Sequence, residues 1–517
     1  MKKTILIVMV LTLLSKVIGF LRDIILAYFY GASNISDVFL ISLVIPSVIF
    51  GFIGKGLSSA FIPIYSRIES QYGTKASWNF TNNIVTLIFL FSLLLFLGCL
   101  IFTETLVKVF ASGFNHETLQ LAVSFTRITI VSMYFTGVIY IFIGFLQIRG
   151  KHVIPSLIGL PLNMAIIMAI ILSSSINLFL LPFGKVIASL LQFLCLIPFI
   201  KKEGFRYRPI LNIKDNHLKK MIVFSLPIIF SSSVEQINKL VDRTIASNIS
   251  VGGISALNYA DQLNIFIQGI FVTSIAAVFF PIISKIATKG SFDQLKKVLA
   301  KTIIIINIFL VPITVASIIF AEPIVQLLFG RGAFSLTAIN MTSSALLFYS
   351  IGMVAFGLRE VLTKVFFSMH DTKTPLINGF VALIMNIILN LILSRYLGIG
   401  GLALATSISA IFTTIILFIN LWRKIGDFEL RNIFVAFVKV VVCSIITGRV
   451  LIIIFNLTSS LLSLPLSLLF SVVIGALFYT TSIYLLKIKE FNDLLLGMQS
   501  KLGLILKPKN IKQKEHL

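Results

Sequence analysis

The chain has 517 residues, 57% of them hydrophobic and 12% charged, with a mean hydropathy of +1.03. Soluble domains carry about 25% charged residues, so no soluble fold accommodates this composition. The net charge of +24 does not point to nucleic acid, because the basic residues stand in short connections between apolar runs and not on a soluble surface.

Apolar stretches long enough to cross a bilayer core about 30 Å thick predict an all-α integral membrane protein with roughly 14 transmembrane helices. In chain order the expected spans are 5–30, 36–65, 78–102, 118–148, 153–174, 177–200, 221–247, 254–284, 302–321, 335–367, 375–394, 399–421, 432–456 and 461–486. Lys2 and Lys3 before an apolar run imitate a signal peptide, but Lys16, Arg22 and Asp23 interrupt that run and no small-residue cleavage site follows. It reads as the first span. With the N-terminus in the cytoplasm, nearly all connecting Lys and Arg fall inside, and only Lys108, Arg331 and Arg395 fall outside. Both termini are therefore expected to be cytoplasmic. Cys99, Cys195 and Cys443 each sit in an apolar stretch with no partner spacing and read as small core residues.

The longest polar interruption, 201–220, divides two similar halves. Asp23 opens D-I-I-L-A-Y-F-Y-G-A-S-N-I-S and the region ends at A-F-I-P-I-Y-S-R with Pro63. Asp242 opens D-R-T-I-A-S-N-I-S-V-G-G-I-S and its region ends at A-V-F-F-P-I-I-S-K with Pro281. The offsets, 242 − 23 = 219 and 281 − 63 = 218, agree within one gap. Six spans between equivalent positions give the copies the same orientation, so two pseudo-symmetric six-helix lobes around a central cavity are expected. The domains are then an N-lobe (1–200), a cytoplasmic basic linker (201–220), a C-lobe (221–424), two additional C-terminal helices (425–487) and a basic tail (488–517). The start of the tail reads equally as a helix on the inner membrane surface or as a solvated segment.

Charges inside spans are costly, at least about 2.5 to 3.5 kcal/mol each at mid-bilayer, so they are expected to face the bundle interior, water or one another. On the first span Lys16 and Asp23 share a face, and Ser15, Gly19 and Arg22 line an adjacent one at i, i+4, i+7. On the second, Asp37 and Lys55 are 18 residues apart, about five turns, and point the same way, with Pro46 between them as a hinge. The excess of cations suits a phosphate or carboxylate substrate, Arg binding a diphosphate through bidentate geometry. For Arg22 the plain alternative is a salt bridge. Lys185, Arg243, Lys364 and Arg449 are open to snorkelling, and Glu360 with Lys364 to a structural i, i+4 pair. Glu235, Asn238 and Asp242 share a face of the seventh span, while Asn386, Asn390 and Thr406 lie on the eleventh and twelfth. Such oxygens suit a hard cation, and interhelical amide hydrogen bonds explain them equally well. No Walker loop, H-E-x-x-H or G-x-S-x-G is present, so the chain reads as a transporter and not an enzyme.

Several segments resemble the lipid II flippase family MurJ (MviN), within the multidrug/oligosaccharidyl-lipid/polysaccharide exporter superfamily. They are S-K-V-I-G-F-L-R-D from Ser15, S-D-V-F from Ser36, G-L-S-S-A-F-I-P-I-Y from Gly56, V-D-R-T-I-A-S from Val241, A-L-N-Y-A-D from Ala256 and L-R-E-V-L-T-K-V-F-F-S-M-H-D-T-K-T-P from Leu358. The resemblance implies alternating access and export of undecaprenyl-diphosphate-linked peptidoglycan precursor across a bacterial cytoplasmic membrane, with membrane lipids and cell-wall synthesis proteins as partners. It implies a substrate site drawn from Lys16, Arg22, Asp23, Asp37, Lys55 and Gln262. Lys16 stands where Arg is usual, Phe50 and Gln262 where many members have Arg, and Lys55 where an acid is common. It also implies sodium as a coupling ion at Asp242, Asn386, Asn390, the Leu402 carbonyl and Thr406, Asn390 replacing an acid. No other cofactor is expected. Export of another polyprenyl-linked glycan, for capsule or exopolysaccharide, and a non-transporting scaffold of envelope synthesis remain as alternatives.

Overall fold

The structure, a computed structural model, describes residues 2–288 and 291–493, with side chains at all of these except 2–6, 52, 53, 55, 227, 230–232, 235, 277 and 288. The described residues form seventeen helices: α1 (Lys2–Tyr30), α2 (Asn34–Ile101), α3 (Thr103–Phe110), α4 (His116–Thr129), α5 (Ser132–Ile148), α6 (Val153–Leu157), α7 (Gly159–Ser175), α8 (Leu180–Lys202), α9 (Asn216–Ile249), α10 (Gly253–Thr288), α11 (Phe292–Ile319), α12 (Ala321–Phe329), α13 (Leu336–Ser368), α14 (Lys373–Leu397), α15 (Ile399–Ile425), α16 (Leu430–Ser459) and α17 (Leu464–Leu485). Helices satisfy their own backbone polar groups, as a lipid environment demands. Among the described residues nine helices are long and apolar enough to cross a membrane. The number is eleven when α4 with α5, bent by 43°, and the two parts of α10, bent by 42°, each make one span. Two of the expected spans lie in the single 68-residue run α2, which breaks at Gly73, where φ 81° and ψ 175° require a residue without Cβ.

Two prolines inside helices leave a carbonyl without its usual donor, and a neighbouring hydroxyl fills each gap. Pro46 frees the Ser42 carbonyl, which accepts from Thr129 Oγ1 at 2.7 Å. Pro312 frees the Ile308 carbonyl, which accepts from Tyr479 Oη at 2.6 Å.

The chain divides into two compact units. The first comprises Met1–Ile270, Ala321–Gly352 and Lys373–Thr413. It holds two apolar cores, one around Leu26, Phe39, Phe125, Tyr259 and Phe329, the other around Phe61, Tyr65, Phe142, Phe145 and Phe205. The second comprises Phe271–Phe320, Met353–Thr372 and Thr414–Leu517, with a core around Ile303, Leu362, Phe366, Leu421 and Val440. There α16 packs on both α11 and α17, and Glu360 pairs with Lys364 at 2.7 Å. Asp493, next to the buried Phe491, pairs with Lys301 at 2.8 Å. The expected surface helix of the tail lies largely beyond Asp493, outside the described residues.

The basic stretch after α8 is pinned to α2. Arg208 N donates to Asn82 Oδ1 (3.1 Å) and Asn212 N to Asn83 Oδ1 (2.7 Å). Asn83 Nδ2 donates in return to the Asn212 carbonyl (2.9 Å), and the Tyr207 and Thr86 hydroxyls meet at 3.0 Å. Two sequence expectations are corrected. Cys195 is exposed, unlike the buried Cys99 and Cys443. Arg243 turns inward rather than snorkelling, donating to the Leu40 carbonyl (3.5 Å) and Asn258 Oδ1 (3.4 Å), since both acceptors lie on neighbouring buried backbone and helix faces.

Within the first unit the repeat appears as matched contacts. A Cβ at Gly113 would strike the Ser247 carbonyl, and one at Gly332 the Tyr28 carbonyl. Both residues of one contact map onto the other, since 332 − 113 = 219 and 247 − 28 = 219. The short helices α3 and α12, which precede these glycines, also correspond. Each buries one stripe, Thr103, Val107 and Phe110 in α3 and Ala321, Val325 and Phe329 in α12.

Candidate functional site

The charged face of α1 docks on the start of α7. Gly19 leaves room for Asn163, whose amide nitrogen donates to the Gly159 carbonyl (3.0 Å) and the Ser15 carbonyl (3.4 Å). Arg22 then reaches Asn163 Oδ1 with Nη1 (3.2 Å) and Asp23 Oδ1 with Nε (3.0 Å) and Nη2 (2.8 Å). Three of its five N–H groups are thus committed and two remain, on a side chain 21% exposed beside an Asp23 that is 1% exposed. Asp23 Oδ2 is buried without a hydrogen-bond partner, so the ion pair is only half satisfied. Lys185, on α8, lies within electrostatic reach of Arg22. One turn and a half earlier, Lys16 lines a 560 Å³ cavity together with Ser15, Gln147, His152 and Gln192, and its ammonium lies against Gly269 of α10. Lys16, Arg22 and Asp23 thus form one charged stretch of a single helix, able to neutralise an anion with partly committed donors.

Asp37 does different work. Buried near the start of α2, it accepts from Gly252 N (2.9 Å), Ser255 N (2.7 Å) and the Ser255 hydroxyl. A carboxylate on the first N–H groups of α10 caps that helix and complements its dipole. Around it Tyr259 Oη donates to the Gly31 carbonyl (3.1 Å), Ala333 N to the Tyr28 carbonyl (2.9 Å) and Thr244 Oγ1 to the Val109 carbonyl (2.9 Å). These bonds sew the two copies of the repeat together along one seam.

The third constellation joins α9, α14 and α15. Asn390 Nδ2 lies 2.6 Å from Asp242 Oδ1 and 2.7 Å from Asn386 Oδ1, while Thr406 Oγ1 donates to the Leu402 carbonyl at 3.0 Å. Turning the Asn386 amide over lets its nitrogen donate to Asn238 Oδ1 (2.8 Å) and its oxygen accept from Thr406 Oγ1 (3.0 Å). Asn386 and Asn390 are buried, and Asn390 Oδ1 has no hydrogen-bond partner. The cluster holds one carboxylate, two amides, a hydroxyl and a main-chain carbonyl, with one amide oxygen an unused acceptor; these are the donor types a hard cation takes, and in this structure the amide nitrogens face Asp242. Lys239, Arg243 and Asp261 lie within electrostatic reach of Asp242. Asn238 enters this site by geometry, and its i, i+4 spacing to Asp242 is the signal that marks it in sequence.

Residues 26–473 match the family model described as lipid II flippase MurJ. The chain belongs to the MurJ family. A probable lipid II flippase MurJ from Vibrio cholerae is 31% identical over 430 residues, covering 80% of this chain and 81% of that protein. A solved structure of a lipid II flippase MurJ in an inward closed conformation superposes with a TM-score of 0.82 at 26% identity, over 95% of this chain and 100% of that one. An inward-facing multidrug resistance MATE family transporter, 15% identical, matches with a TM-score of 0.68 over 80% of this chain and 95% of that one, a likeness of fold. Membership of MurJ makes the chain a multi-pass membrane transporter and not an enzyme.

Set against the MurJ pattern, the departures fall in different surroundings. Phe50 is fully buried and packs beneath Gly137 of α5 beside Ile88, so it belongs to the core. Gln262 is half-buried on α10 beside Asp261. The Lys55 side chain lies outside the described residues.

Proposed function

We propose that this MurJ-family chain is a lipid II flippase that carries an undecaprenyl-diphosphate-linked peptidoglycan precursor from the inner to the outer leaflet by alternating access. The match of residues 26–473 to the lipid II flippase family carries the reading. The charged face of α1 supports it. Arg22 keeps two N–H groups for phosphate oxygens, and Asn163 and Asp23 fix the guanidinium plane, so the bidentate geometry exists before substrate arrives. Lys16 adds a mobile point charge for the second phosphate. For the substrate to leave on the far side, the Asp37 seam has to part, exchanging its bonds to α10 for water.

A cation at the Asp242 cluster supplies coupling energy in this reading. Asp242, Asn386, Asn390, Thr406 and the Leu402 carbonyl would hold it, and sodium is the ion proposed. Both chain termini lie on the cytoplasmic side of the bacterial inner membrane, which a reporter fused to each terminus checks.

Flipping of labelled lipid II in vesicles containing the purified chain tests the proposal, alongside rescue of a bacterium depleted of its own flippase. Rescue by the wild type and failure by Arg22→Ala at equal expression is the expected result. Failure of the wild type, with loss of a different surface glycan on deletion, would instead establish the second reading, another polyprenyl-linked glycan. That reading draws on Phe50, a buried apolar ring at a position where the family resemblance implies Arg.

A further inference from the structure

A second feature of the first unit lies on other helices from the charged face of α1. A cavity of about 920 Å³ opens between α2, α5 and α8 and is closed at one end by the pinned segment after α8. Its walls are apolar, formed by Val85, Phe89, Phe142, Phe193 and Ile197, and its mouth carries Lys201, Arg206 and Tyr207. The volume is at the upper end of sites that hold small ligands.

Three observations define what fits. The mouth is basic and uncompensated: among the described residues neither Lys201 nor Arg206 takes part in an ion pair, and the nearby Glu203 is drawn to Lys151 at 3.2 Å. The walls continue onto exposed apolar surface at Phe89, Leu194 and Phe199, the kind of surface that faces lipid chains. The mouth is also rigidly placed. Phe205 is buried edge-on to Trp78, with ring centroids 6.5 Å apart, and Arg206 and Tyr207 follow directly before the backbone bonds to Asn82 and Asn83. Two cations beside a phenol hydroxyl, above an apolar slot, recognise a phosphate diester joined to hydrocarbon chains.

We propose that this groove holds a resident anionic glycerophospholipid, its phosphate on Lys201 and Arg206 and its acyl chain between α5 and α8, and that the lipid stabilises the segment 203–212 on α2. The transported substrate is not the occupant, because none of the α1 cations lines the groove. Binding is measured without transport, so the result stands apart from the flippase reading.

The test compares full-length protein with the double variant Lys201→Gln/Arg206→Gln and with Lys219→Gln/Lys220→Gln, exposed lysines on α9 away from the groove. Each is titrated with phosphatidylglycerol or phosphatidylcholine in detergent and bound lipid is counted by native mass spectrometry. Hydrogen exchange of 203–212 is followed in parallel. The wild type and the α9 variant are expected to retain phosphatidylglycerol over phosphatidylcholine and to protect 203–212 when it binds. The groove variant is expected to bind phosphatidylglycerol about tenfold more weakly and to lose the protection. Equal binding by wild type and groove variant would overturn the proposal, as would an equal loss in the α9 variant. Displacement of phosphatidylglycerol from the groove by undecaprenyl diphosphate at equal concentration would also overturn it, making the groove an entry point for substrate.

Discussion

Asp23 and Asp242 occupy the same place in the two copies of the repeat, yet their surroundings have become opposite. Asp23 is covered by its neighbour Arg22, with Asn163 from α7 holding the guanidinium in place. Asp242 has two Asn side chains from α14 in the corresponding role, and these bring neutral amide N–H donors rather than charge. One carboxylate is thereby committed to anchoring a cationic side chain, and the other is held by neutral amides, which leaves its charge for the cation proposed above. A duplicated scaffold supplies both polarities from one inherited acid, the difference lying in residues contributed by the adjacent helix.

The strongest way to break this comparison is Arg22→Ala. It strands a carboxylate that is 1% exposed, and we expect a loss of about 3 kcal/mol in unfolding free energy together with failure to rescue a depleted strain. Arg22→Lys is expected to restore stability in part and transport little, since a point charge lacks the fork. Next in size is Asp242→Asn, which removes the single charge of the oxygen cluster. The midpoint of thermal unfolding should then lose its dependence on sodium, and a midpoint that still rises with sodium at constant ionic strength would sink the cation assignment. Asn390→Asp sharpens the contrast from the other side, because an added carboxylate should tighten sodium binding by about tenfold, read by calorimetry. The smallest effect is expected far from both acids. The Lys301 ammonium, hydrogen bonded to Asp493, holds its carboxyl below the ordinary value of 3.8. A lowered native value means the contact contributes above about pH 4 and is lost as the pH falls through the native value. Hydrogen exchange of 486–493 should therefore be unchanged from pH 7 to pH 5, after correction for intrinsic rates, and rise below pH 4.

Much of this was readable in the residues. Apolar length placed the all-helical membrane fold, with nine to eleven of the 14 expected spans long and apolar enough to cross among the described residues, and the i, i+4, i+7 spacing put Ser15, Gly19 and Arg22 on one face, now seen against α7. The helices α3 and α12 escaped because segments of 8 and 9 residues fall below any span length. The segment 203–212 read as a plain linker because its order comes from Asn82, Asn83 and Thr86, more than 120 positions away in sequence. Asp37 is the most instructive. Its spacing to Lys55 suggested a shared cavity face, whereas its bonds run to the N-terminus of α10, a partner that no local period can reveal.

The hydroxyls of Ser36 and Ser255 meet at 2.8 Å, and these two residues are the same residue of the repeat, since 255 − 36 = 219. A position that touches its own counterpart sits beside the axis relating the halves. In an ancestor made of two identical subunits, one codon would have governed both sides of that contact, and any change there would have been felt twice. A single chain carrying both copies has no such constraint. The next position now reads Asp37 in one copy and Ala256 in the other, so an acid that would have faced its own twin across the axis faces a helix end instead.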